Sequence, residues 1–182
     1  MKRFSPSPLR FVQAAAAALL LLAGASVSAA AGGPPALVGA VCGPQSGGSV
    51  RPVPPLAAVA TVRAGRHPRF DRFVIEFAGD GPVPRFDVLP QPSPRFTLDP
   101  SGQAVALRGR AGVLVVVRDA SQHDGFRGPT DLRPHLPILR EARAIGDFEG
   151  VVSWGLGVSA PACARVTTLS APTRLVIDLV RR

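Results

Sequence analysis

From residue 57 onward the chain alternates apolar and polar positions in short runs, each closed by Gly or Pro. Successive side chains of a strand point to opposite faces, so such alternation predicts strands with one buried side. The stretch Asp71-Arg72-Phe73-Val74-Ile75-Glu76-Phe77 puts Phe73, Ile75 and Phe77 on one face and Arg72, Val74 and Glu76 on the other. Near the far end, Thr173-Arg174-Leu175-Val176-Ile177-Asp178-Leu179 repeats that order. Each copy follows a Pro-containing turn, His67-Pro68-Arg69 or Ala171-Pro172, and each turn follows another strand-like run. The repeated unit is therefore a hairpin, in keeping with an internal duplication.

Further strands are predicted at Ala58–Val62, Arg85–Leu89, Phe96–Leu98, Ala104–Leu107, Val113–Val117, Val151–Val158 and Ala164–Leu169. Val113–Val117 has no polar face, which predicts a central position covered on both sides. Ile138–Ile145 fits a strand or a helix face equally, through Ile138, Leu139, Ala142 and Ile145. Residues 119–136 form the longest loop. About nine or ten short strands with frequent turns predict an all-β, two-sheet sandwich over residues 57–182.

Residues 1–30 have another layout. Lys2, Arg3 and Arg10 precede the apolar run Ala14–Ala23, and small residues follow at Ser26–Ala31. That is the order of a secretory signal peptide, with an apolar run roughly half of what a bilayer span needs; an uncleaved N-terminal anchor is the alternative. Leu22-Ala23-Gly24 resembles the start of a lipobox, but Ala25 stands where the lipid-bearing Cys belongs. Residues 31–56, rich in Gly, Pro, Ala and Ser, are expected to be a disordered linker. No transmembrane span is expected once the signal is removed.

Charge and cysteines sharpen the picture. Beyond the signal the chain carries 18 arginines, no lysine and 12 acids. Guanidinium groups suit carboxylate and phosphate, hence an anionic partner such as a wall polymer or a lipid headgroup; the alternative is a coding bias toward Arg over Lys with solvated strand faces. Two cysteines in an exported chain permit a single bridge, Cys42–Cys163, tying the linker to the domain. Closing a loop of about 120 residues stabilises by roughly 5 kcal/mol at most.

The chemical candidates are few. His67 lies among Arg63, Arg66, Arg69 and Arg72 with Asp71 nearby, as an anion-binding turn; otherwise Asp71 caps the turn and pairs an Arg across strands. His123, Asp124, Asp131 and His135 share the long loop without the spacing of a metal site. Asp147 and Glu149 stand two apart, on a tight turn with an inward Phe148. Gly155 and Gly157 leave a trough or a close backbone approach on one face of their strand, with Trp154 on the other, in the core. An exposed Trp154 would instead offer a sugar a stacking surface. No catalytic set, metal or cofactor is called for, and no nucleic acid.

Three ordered stretches carry a family resemblance. They are Val62–Arg72, then Gly146-Asp147-Phe148-Glu149-Gly150, then Pro172–Asp178. Together, over about residues 57–180, they resemble the AMIN-like domain of exported proteins, distantly similar to the AMIN domain of cell-wall amidases and secretins. The resemblance implies a pseudo-symmetric β-sandwich that binds or localises to the envelope, with peptidoglycan as one implied ligand. A wall hydrolase with dispersed catalytic residues, and a structural partner of another exported protein through a sheet edge, are the alternatives.

Overall fold

The computed structural model describes residues 39–49, 56–123 and 125–182. The expected signal peptide and residues 31–38 and 50–55 lie outside them.

Thirteen strands are present among the described residues. They are β1 (Gln45–Gly47), β2 (Ala57–Arg66), β3 (Asp71–Phe77), β4 (Phe86–Gln91), β5 (Arg95–Thr97), β6 (Ala104–Ala106) and β7 (Ala111–Arg118). After these come β8 (Ala120–Ser121), β9 (Asp131–Leu132), β10 (Leu139–Phe148), β11 (Val151–Val158), β12 (Ala162–Ser170) and β13 (Thr173–Arg181). One sheet runs β1-β4-β7-β11-β10-β9 and the other β12-β13-β3-β2-β8, with β5 and β6 as a separate hairpin. The chain is the all-β, two-sheet sandwich that its alternation predicts.

The alternating positions meet in one core. Phe73, Ile75 and Phe77 of β3 and Leu175, Ile177 and Leu179 of β13 face Val113, Val115 and Val117 of β7 and Val152, Trp154 and Leu156 of β11. Burying each large side chain contributes about 1.5–3 kcal/mol, which is why one face of every long strand is apolar. Trp154 is fully buried and donates from Nε1 to Gln122 Oε1 at 3.1 Å. The sugar-stacking alternative is thereby excluded.

The two matched stretches are partners. β3 and β13 pair antiparallel with Arg72 opposite Asp178, Val74 opposite Val176, and Glu76 opposite Arg174. Their hairpins, β2–β3 and β12–β13, flank that seam as a pseudo-twofold pair. A repeat of the form Arg-x-Val-x-acid is self-complementary when it folds back on its copy, because every cation lands opposite an acid.

Bulges explain the ambiguous run at Ile138–Ile145. The register of β10 on β11 shifts between Leu139 and Glu141, so Leu139 and Ala142, three apart, share the core face. A shift between Val59 and Thr61 brings Val59 and Val62 onto one face in the same way. A bulged strand thus borrows helical spacing.

Several expectations are corrected. Arg63–Arg66 belongs to β2 and not to the turn, and β4 continues through Pro90. Phe148 points outward at 47% exposure, because Glu149 (φ 49°) and Gly150 (φ 76°) form a tight two-residue turn that turns it away from the core. Residues 39–49 are not a free linker. β1 pairs with β4, Val41 exchanges backbone hydrogen bonds with Ala164, and Cys42 is bonded to Cys163.

The glycine trough is filled from within. The β5–β6 hairpin lays Phe96 over Gly112 and Gly155, where a β-carbon would meet the ring at 2.8–2.9 Å. Phe96, Leu107 and Ile145 make a small second core that half-covers Leu114, the outer face of β7. The central position predicted for Val113–Val117 holds. At Gly157 a β-carbon would stand 2.2 Å from the backbone oxygen of Arg108. Both glycines thus serve close approach, one to a ring and one to a loop backbone.

Candidate anion-binding site

One end of the sandwich collects arginine. β2 ends there at Arg66 and β3 begins at Asp71; β7 and β10 begin there, β11 ends at Val158, and β13 ends at Arg181. The loop before β7 carries Arg108 and Arg110 and is fixed by its backbone. Arg108 N–H donates to Glu141 Oε2 at 2.8 Å, and Arg110 N–H donates to the Val158 carbonyl at 2.8 Å. Between them Gly109 sits at φ 140° with the Val158 backbone where a β-carbon would be, a place only glycine fills.

Two clefts open at this end. The first, about 700 Å³, is lined by Arg108, Arg110, Arg140, Arg181 and Arg182 with His135 and the Ser159–Pro161 turn, and no carboxylate side chain lines it. The second, about 450 Å³, is lined by Arg66, His67, Arg69, Phe70, Pro137, Ile138 and Arg181 over Asp71. Arg181 belongs to both.

The acids of this end are committed elsewhere. Asp71, 1% exposed, accepts Ile138 N–H at 2.6 Å and Leu139 N–H at 2.8 Å through one oxygen. It therefore ties β3 to the start of β10 across the two sheets, where the sequence suggests a turn cap. Glu141, also buried, holds the Arg108 amide. Among the described residues no ion pair joins Arg108, Arg110 or Arg140 to an acid. The opposite end carries acids in its turns, Asp80 after β3, Asp119 after β7 and Glu149 between β10 and β11.

The arginines singled out in the sequence divide into two sets. Arg66, His67 and Arg69 line the second cleft. Arg63 and Arg72 instead lie on the outer face of the five-stranded sheet, where acids neutralise them. Arg63 pairs with Glu76 at 2.8 Å, and Arg72 pairs with Asp178 at 2.6 Å. Asp178 also takes Arg165 at 2.5 Å. Burial pushes the Asp178 carboxyl up, but hydrogen bonds from Arg72 and Arg165 prevail and hold it below its ordinary value. The Phe70 ring stacks on His67 at 4.4 Å and carries the Arg72 and Arg165 guanidinium groups 5.3 and 5.4 Å from its centre.

The other candidates among the described residues are engaged with their own neighbours. His123 Nδ1 pairs with Asp147 at 2.7 Å in a third cleft that Ser101 also lines. Ser101 Oγ, however, donates to the Leu98 carbonyl and accepts from Gln103 N–H within its own turn. Asp147 is also bound by the Gln122 amide, while Glu149 stands exposed in the hairpin turn. Asp131 pairs with Arg133. Among the described residues no three His, Cys, Asp or Glu gather as a metal-binding group. Asp124 lies outside them.

A family model for the AMIN-like domain matches residues 57–181. The chain belongs to the AMIN-like domain family. No curated protein matches it. AMIN-like domains are extracytoplasmic, envelope-associated and generally non-catalytic binding modules, and the bridged Cys42 and Cys163 suit an oxidising compartment. No helix among the described residues is long and apolar enough to cross a membrane. The arginine end of this AMIN-like domain was hidden from sequence reasoning because Arg108, Arg110, Arg140 and Arg181 come from three separate segments. The legible signal was the use of arginine alone as the domain's cation.

Proposed function

We propose that this AMIN-like protein is an exported, non-enzymatic module that binds an anionic polymer of the cell envelope, such as peptidoglycan or an associated wall polymer, through its arginine end. The observation that carries the reading is the first cleft, where five arginines line one concavity without a carboxylate side chain. Guanidinium groups left without acids in a concave site gain most from an arriving oxyanion. Arg66, His67 and Arg69 line the second cleft, and Arg63 and Arg72, bound to Glu76 and Asp178, act in the fold. Large apolar side chains that stay exposed, Val41, Leu56, Phe148 and Leu169, are not among the residues lining either cleft. The first cleft therefore offers charge and no aromatic ring, while the second adds Phe70, stacked on His67. The test is sedimentation of residues 39–182 with purified wall sacculi: the protein pellets at low salt and is released as salt rises. Protein that stays in the supernatant at low salt contradicts the reading.

A further inference from the structure

The two clefts are neighbours in a way that constrains the shape of the ligand. Arg181 lines both, and its Nη2 lies 3.5 Å from the Pro137 carbonyl, on the segment that precedes β10. Pro137 and Ile138 border the second cleft, and Arg140, two residues on, borders the first. Ile138 is held from below by Asp71, so this divide is anchored in the core. A cationic track therefore runs from Arg108 and Arg110 past Arg140 to Arg181 and on to Arg66.

We infer that the two clefts act as one track, occupied by a flexible chain carrying oxyanions at repeating intervals, with Arg181 bridging two successive charges. This rests on the anionic-polymer reading and narrows it: a lone phosphate or carboxylate is much smaller than either cleft and reaches only one of them, whereas a chain can occupy both. Linking two anions makes the second contact intramolecular, so avidity rises steeply once the chain spans both clefts. The shared chemistry is the repeated oxyanion, whether phosphodiester or carboxylate.

The experiment titrates the full chain with inorganic phosphate, tripolyphosphate and long-chain polyphosphate, and with poly-glutamate of matched charge number, at several salt concentrations. The expected result is at least a hundredfold tighter binding of the long chains than of inorganic phosphate, per mole of ligand. A steeper salt slope should accompany it, because more counterions are released as more charges are engaged. Arg181→Ala should lose about tenfold for the long chains and under twofold for inorganic phosphate, while Arg63→Ala changes neither by more than twofold. Should Arg181→Ala fail to fold, the pair Arg66→Ala and Arg110→Ala replaces it, expected to be non-additive on the long chain alone. Polyphosphate outbinding poly-glutamate assigns a phosphate-bearing source, the reverse assigns carboxylates, and either supports the track. Equal affinity per charge for short and long anions, or an Arg181→Ala loss independent of length, overturns it. Sacculus binding that persists in that event leaves the broader reading standing, and length-dependent binding without sacculus binding does the opposite.

Discussion

Asp71 of β3 and Leu139 of β10 lie in different sheets, yet the carboxylate of the first accepts the backbone N–H of the second at 2.8 Å. The same oxygen takes the Ile138 amide, so two N–H groups at the start of β10 depend on one buried acid. Polar groups buried at a sheet-to-sheet seam must be satisfied internally, and one carboxylate oxygen reaching across serves both donors. Asp71→Ala leaves two buried donors unmatched and should cost about 2–5 kcal/mol, whereas Asp71→Asn, which keeps one acceptor oxygen, should cost less. Urea unfolding followed by Trp154 fluorescence measures both. Equal, small losses would mean that water takes over the amides.

Asp178 gives the domain an acid sensitivity. Its carboxyl is held below the ordinary value of 3.8 in the folded chain by Arg72 and Arg165, against the upward push of burial. A folded-state value below the unfolded one contributes stability that is complete above the unfolded value and is lost as pH falls through the folded one. Asp87, lowered chiefly by the Ser46 hydroxyl, has the same sign. Stability should therefore hold level from neutral pH to about 5 and fall below about 4. Asp178→Asn should be less stable at neutral pH by about 2 kcal/mol and show a shallower acid decline. Urea midpoints between pH 2.5 and 7 decide it.

Gly157 and Gly109 place the cationic loop. An alanine at Gly157 meets the Arg108 backbone oxygen, and one at Gly109 meets the Val158 backbone at a φ that L-residues avoid. Either substitution should weaken polyanion binding severalfold by displacing Arg108 and Arg110, although neither removes a charge. Gly79→Ala, with nothing within 4 Å of the added carbon but a φ of 77°, should cost stability of about 1 kcal/mol and leave binding intact.

The bridge between Cys42 and Cys163, 121 residues apart, fixes the leading segment to β12. Replacing both by Ser should lower stability by about 2–4 kcal/mol and free β1 from β4, raising amide exchange at Gln45–Gly47 before the core strands exchange. Exchange confined to the core would contradict that order.

What could be read from the sequence follows one physical division. Local alternation revealed the strands, the two hairpins and the sandwich, because burial of one face is written residue by residue. The self-matching stretches pointed to two related hairpins, though not to their direct pairing across Val74 and Val176. Bulges at Ala60 and Arg140 escaped, since one inserted residue changes the face of all that follow. The role of Asp71 escaped as well, because its partners lie 67 and 68 residues away. The pairing of Arg63 and Arg72 with acids divided a cluster that looks continuous in the chain, and the larger arginine surface came from segments that only the fold unites.

On the proposed reading, Arg108, Arg110 and Arg140 at one end of the sandwich, and not Arg63 and Arg72 on its outer face, hold the envelope polymer. Sacculus sedimentation of the triple variant Arg108→Ala/Arg110→Ala/Arg140→Ala beside the double variant Arg63→Ala/Arg72→Ala, each confirmed as folded, tests it most directly. The expected result is loss of most binding in the triple variant and near-native binding in the double one. Binding retained by the triple variant and lost by the double one would contradict the claim.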